Sequence, residues 1–224
     1  RLTSARVAVL GEAANSVGAE LTFKPGSKGA NAGQMFAVPK KAYVLLNTEL
    51  DSDTYHPQRA LKAAEQAETV VVLSAFRSDA ALQYADVMLP IAPFTETSGA
   101  FINMEGRLQA FNGVVKPLGD ARPGWKVLCA LARMLDAPNL DFDNSQQVLA
   151  RALPGVGSGQ LVHAGRLDNR TDAAMVVDRA SERPVCASIY QLDSLVRRAP
   201  SLQATSDGRA AASCGAVRQQ EDQS

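Results

Sequence analysis

Residues 69–74, Thr-Val-Val-Val-Leu-Ser, constrain the fold of this chain more than any other stretch. Apolar, mostly β-branched residues in unbroken succession put apolar side chains on both faces of a strand. That is the pattern of a strand in a sheet covered by helices on each side, whereas a half-exposed strand alternates. The neighbouring sequence repeats the theme. Residues 42–47 and 86–89 are further short apolar runs, and residues 7–10, Val-Ala-Val-Leu, end at Gly11 as a buried parallel strand would. Helical segments are predicted between them. One spans 27–37, with Ser27 as its cap and Val38-Pro39 as its stop. A second spans 57–68, with Pro57 in the first turn and Leu61, Ala64 and Ala67 on one stripe. A third spans 79–84, capped by Ser78. Strand and helix in alternation predict an α/β fold, a doubly wound and mostly parallel sheet with helices on both faces and right-handed crossovers.

The loops of such a sheet are where chemistry is sought, because ligands lie outside the carboxyl ends of its strands. After residues 86–89, Pro90 removes a ladder donor, and Pro93 and Gly99 punctuate a loop over 91–99. Residues 100–103 and 107–111 then read as a hairpin about Met104-Glu105-Gly106. Glu96, Glu105 and Arg107 could hold a polar ligand bidentately; alternatively Glu96 and Arg107 brace the loop against the hairpin, which is the favoured reading. Asp51, Asp53, Tyr55 and His56 crowd the other loop, but they lack a second spaced pair of ligands and read as turn residues rather than a metal site. Gly11 and Gly18 are too far apart for a dinucleotide fingerprint. His163 has no titratable neighbour in sequence to make it a base. No residue is therefore assigned as catalytic, cofactor-binding or metal-ligating.

Beyond the hairpin, an extended connection over 113–119 leads to a helix from Pro123. Trp125, Leu128, Cys129, Leu131, Ala132 and Leu135 form its apolar face, with Cys129 as a packed small hydrophobe. Ser145 opens a helix over 146–153, ended by Pro154-Gly155. The α/β domain is placed at 1–153, an irregular or short-helix extension at 154–203 with Arg197-Arg198 as a solvated face or subunit contact, and a disordered tail at 204–224.

Composition narrows the function. Twenty-three basic residues balance twenty-three acidic ones, so no net field recruits nucleic acid, and no basic patch has interleaved aromatics. No run of eighteen apolar residues is present to span a bilayer. The three cysteines, Cys129, Cys186 and Cys214, are too scattered to hold an iron–sulfur cluster and odd in number for a disulfide framework, which points to a reducing compartment. The start at Arg1-Leu2-Thr3, without Met or a signal pattern, reads as a fragment of a longer polypeptide.

The string ADVMLP at 85–90, followed by ETSGAFINMEGRLQ at 96–109, resembles the signature of the molybdopterin oxidoreductase superfamily. The wording of 70–135 is similar to one branch, the large iron–sulfur subunit of bacterial NADH–quinone oxidoreductase, respiratory complex I. The likeness covers residues 7–153 and returns weakly at 189–200. In that branch the pterin cofactor is absent and the domain is a scaffold. The resemblance therefore implies a non-catalytic part of an assembly that passes electrons from NADH to quinone, coupled to proton translocation. It also implies 2Fe-2S and 4Fe-4S clusters elsewhere in the full subunit, other subunits of the peripheral arm as partners, and a peripheral position on the cytoplasmic side of the inner membrane. The alternative is the cofactor-binding lobe of a molybdopterin-dependent enzyme such as a formate dehydrogenase. A free-standing binding module using the two edge loops ranks third.

Overall fold

The computed structural model describes residues 13–23, 29–162 and 188–212. The expected strand at 7–10, the cap Ser27, His163, Cys186 and Cys214 lie outside them. Among the described residues the core is a parallel sheet in the order β1 (Ala42–Leu46), β2 (Thr69–Ser74), β3 (Val87–Pro90). Helix α1 (Ser16–Thr22) and helix α2 (Ala32–Ala37) precede the sheet, and α3 (Pro57–Glu65) and α4 (Ala81–Tyr84) connect its strands. This is the α/β arrangement that the alternating pattern predicts.

Side-chain alternation explains the packing. Tyr43 and Leu45 of β1 and Val70 and Val72 of β2 face the helices, where they bury against Ala60, Ala63 and Ala64 of α3 and Ala81 and Tyr84 of α4. Small residues on α3 let the helix lie close to the sheet. The Tyr43 ring carries a polar handle that is also satisfied: its hydroxyl donates to Met35 O and accepts from Lys40 N, each at 2.9 Å, fixing the end of α2 over β1. On the opposite face Leu73 is fully buried in register between Leu46 and Leu89. Helix α5 (Gly124–Met134) begins there, with Gly124 against Leu46 and Ile91, while Val44 and Val87 stay exposed.

Element ends follow their local chemistry. Asn31, not Ser27, caps α2, in a reciprocal capping box with Gln34, and Val38 leaves the helix before Pro39. Pro57 occupies the first turn of α3, where no donor is required. Strand β3 starts one residue later than expected because Asp86 turns its carboxylate to accept from Val70 N at 2.7 Å. The hairpin is β4 (Gly99–Ile102) paired antiparallel with β5 (Leu108–Phe111). It packs a second, smaller core of Ile102, Leu108, Leu153 and Val162, closed by α1 and by α6 (Ser145–Ala152), which Asn144 caps. On α5, Cys129 and Ala132 are buried, but Met134 and Leu135 are exposed, so the predicted apolar face is only partly used.

Short helices α7 (Ile189–Leu192) and α8 (Pro200–Gln203) flank a 3-10 turn at Val196–Arg198. Residues 206–212 are also helical, with Ala211 buried, where a disordered tail was expected from 204. The run is rich in alanine, the strongest helix former, and its few apolar methyls suffice once a surface is there to meet them. Residues 213–224 lie outside the described part.

Candidate functional site

The loop at the carboxyl end of β1 is built around buried charge. Asn47 leaves the strand with a positive φ of 49°, and the turn that follows directs Glu49 inward. Glu49 is 7% exposed and is one of the few polar residues buried in the described chain. Asp53 folds back to accept from Glu49 N at 2.7 Å. The 3-10 turn at 196–198 then delivers two guanidinium groups to this pair. Arg197 meets Asp53 at 2.8 Å and Glu49 at 3.2 Å, and Arg198 meets the other Glu49 oxygen at 2.8 Å. Arg198 also lies over the Phe76 ring, 4.6 Å from its centroid, just past the end of β2.

The electrostatics follow from this geometry. Burial by itself would raise the Glu49 pKa, but hydrogen bonds and positive charge from Arg198 and Arg197 outweigh it, so the carboxyl is held below its ordinary 4.5. Burial raises the Tyr84 phenol above its ordinary 10.0, and the acidic charges of Asp51, Glu49 and Asp53 add to the effect. The cluster is self-neutralising, with two carboxylates against two guanidinium groups. From sequence, Asp53 belongs to a turn and Arg197-Arg198 to a solvated face or a subunit contact. The turn stands, the solvated face does not, and the partnership that unites these residues carries no local sequence signal. Asp51 is exposed and bonded to Ser52, and the His56 ring packs edge-on against Tyr55. Among the described residues no group of three acidic, histidine or cysteine side chains is placed to hold a metal ion.

The expected Glu96–Arg107 pair does not form. Glu96 accepts instead from Leu118 N at 3.0 Å, tying the 91–98 loop to the connection after the hairpin. Arg107 donates to Gly159 O at 3.0 Å and lies 3.8 Å from Glu105. Both side chains brace, each to its own partner, because the hairpin turn points Arg107 toward residues 159–161 rather than back at the loop. The two replacements to alanine should therefore be additive in stability, each costing on the order of 1 kcal/mol or less at these exposed sites. Urea melts of the singles and the double check this, and a coupling well outside error would show that the two side chains meet.

Beneath the hairpin lies a cavity of about 310 Å³. Gly18 and Thr22 of α1, residues of β4 and β5, Trp125 of α5 and the side of α6 line it, and it is partly open to solvent. Ser98 and Ser145 share a hydroxyl hydrogen bond of 2.7 Å at its wall. The Trp125 Nε1 is buried and has no hydrogen-bond partner among the described residues. No lining residue carries a charge.

An 84-residue stretch, 38% of the chain, is 38% identical to the mitochondrial NADH-ubiquinone oxidoreductase 78 kDa subunit of Candida albicans, spanning 12% of that protein. Another 88-residue match, 39% of the chain, is 38% identical to a Staphylococcus haemolyticus protein assigned by name as a formate dehydrogenase, spanning 8% of it. The chain thus spans only a small part of these relatives. Among solved structures it is similar to acetylene hydratase from Pelobacter acetylenicus, with a TM-score of 0.48 and 20% identity over 60% of this chain and 20% of that one. The molybdopterin oxidoreductase family model matches residues 3–134, over half of the chain, and the chain belongs to that family.

Proposed function

We propose that this chain is the scaffold portion of the iron–sulfur subunit of an NADH–quinone oxidoreductase, which passes electrons from NADH to quinone coupled to proton translocation. The observation that supports the reading best is the closed carboxyl edge of the sheet. Where an α/β sheet ordinarily takes its ligand, Glu49 and Asp53 are consumed by the chain's own Arg197 and Arg198. A molybdopterin cofactor is anionic through its phosphates and calls for free donors and cations. At the loop after β1 the residues do not fit it, since Arg197 and Arg198 are already paired there, and the cavity under the hairpin has no charged lining. On this reading the chain contributes packing surface, and the iron–sulfur clusters belong to other parts of the full subunit. Its partners are the neighbouring subunits of the peripheral arm, on the cytoplasmic face of the inner membrane. Among the described residues no helix is long and apolar enough to cross a membrane.

The second reading, a cofactor-binding lobe of a molybdopterin-dependent enzyme such as a formate dehydrogenase, draws on the similar identity to the relatives so named. Elemental analysis of the full protein purified from its source separates the two. The scaffold reading expects iron with no stoichiometric molybdenum or tungsten, and co-migration with NADH–quinone activity on native gels. One equivalent of molybdenum or tungsten per chain would replace it with the second reading.

A further inference from the structure

We propose that Asn112-Gly113 is a modification site, at which the folded chain loses the side-chain amide of Asn112 to water and ages into aspartyl and isoaspartyl forms. Asn112 is the one asparagine of the chain that precedes a glycine. In the reaction the Gly113 amide nitrogen gives its proton to base and attacks Asn112 Cγ. The side-chain nitrogen leaves as ammonia, and a five-membered succinimide closes. Water then opens the ring at either carbonyl, so the atoms balance with no oxidant or other co-reactant. A Cβ on the residue after the asparagine obstructs the attacking nitrogen, and glycine has none.

The surroundings leave this pair free to react. Both residues are exposed and lie just past the end of β5, outside the ladder that would hold their backbone. Among the described residues the Gly113 N–H has no acceptor and the Asn112 side chain makes no hydrogen bond. Asn15, Asn31, Asn103 and Asn144 differ on both counts: their side-chain oxygens accept from backbone N–H groups, and the residue after each carries a Cβ. Asp207-Gly208, which can close the same ring, is the internal contrast. There Gly208 N donates to Thr205 Oγ1 at 3.1 Å inside a helical turn. Packing also holds the glycine in place, since a Cβ on Gly113 would come within 3.0 Å of the Glu96 carbonyl carbon and the Thr97 nitrogen.

The two products should differ in effect. Gly113 lies at the start of the connection that Val114 N fastens to Thr95 O at 2.8 Å and Leu118 N fastens to the Glu96 carboxylate at 3.0 Å. An aspartyl residue adds charge and keeps the backbone length. An isoaspartyl linkage runs the backbone through the side-chain carbon, and the added methylene shifts 113–114 out of register with 95–97.

Full-length protein held folded at mildly alkaline pH, then digested and read by mass spectrometry, tests this. The amide-to-acid mass gain should appear at position 112 ahead of every other asparagine, at a rate comparable to that of a synthetic peptide spanning 109–116. Isomerisation at Asp207 should run well below the rate of its own peptide. Asn112→Gln, which cannot close the five-membered ring, should remove the modification. After separation by anion exchange, the isoaspartyl fraction should melt below the unmodified chain, while Asn112→Asp should melt close to it. A folded chain that keeps its Asn112 amide while the peptide loses it would overturn the proposal. So would conversion at 112 no faster than at the other asparagines, the mark of non-specific hydrolysis. The wild-type time course decides the matter even if a variant fails to fold.

Discussion

Replacing Leu73 with aspartate should leave the chain without a cooperative thermal transition. The side chain is fully excluded from solvent in the central strand, flanked in register by Leu46 on β1 and Leu89 on β3. Removing a buried leucine costs roughly 3 kcal/mol, and a carboxylate in its place adds several more unless it stays protonated. Against a total stability of about 5–15 kcal/mol, the loss is enough to unfold a domain of this size. Leu46→Asp is the control. It occupies the same cross-strand row but is 44% exposed, so its carboxylate reaches water and the change should be mild. Circular dichroism melts of the two variants side by side make the comparison. A cooperative, wild-type-like melt for Leu73→Asp would mean that residues 69–74 are not the centre of the sheet.

Glu49→Gln should be the next most damaging change, at roughly 3 kcal/mol. Breaking a buried ion pair strands the charge left behind, and here two guanidinium groups lose their shared carboxylate. Partial exposure of Arg198, whose side chain is 30% accessible, keeps the loss below that of a fully enclosed pair. Glu49→Gln combined with Arg198→Met should cost less than the sum of the singles, since one stranded charge is removed with its partner. The same carboxylate sets a pH dependence. Its folded-state pKa lies below the ordinary 4.5, so its contribution is fully present above that value. It is lost as pH falls through the lower folded-state value, because the unfolded chain takes up the proton first. Wild-type stability should therefore decline below about pH 4.5, and Glu49→Gln should flatten part of that acid limb. A variant with an unchanged acid limb and wild-type stability at neutral pH would show that the 196–198 turn does not close on this loop.

Truncation tests the same closure from the other side. Ending the chain before residue 188 deletes both arginines and leaves Glu49 and Asp53 as uncompensated neighbours. The melting temperature should fall by several degrees, in line with a loss of a few kcal/mol for a chain of this size. An unchanged melt would remove the segment from the fold's energetics.

The sequence by itself determined whatever depends on neighbours a few residues away. The apolar run at 69–74 could only be a strand buried on both faces, Pro57 could only open α3, and Val38-Pro39 could only close α2. The hairpin was legible for the same reason, since its alternation and its glycine turn are local. The parallel direction of β1, β2 and β3 followed from crossovers through helices. What remained hidden was set by contacts between residues far apart in the chain. Arg198 and Glu49 are separated by 149 positions, and nothing in either stretch names the other. Arg107 was directed to Gly159 rather than Glu96 by the way the hairpin turn aims its side chain. The cavity exists because α1, α6 and the hairpin meet without filling the space between them, and such a void is a property of packing that has no local signature. Helix 206–212 gave too little apolar signal to be read from sequence, and only the tertiary surface that buries Ala211 could make it worth forming.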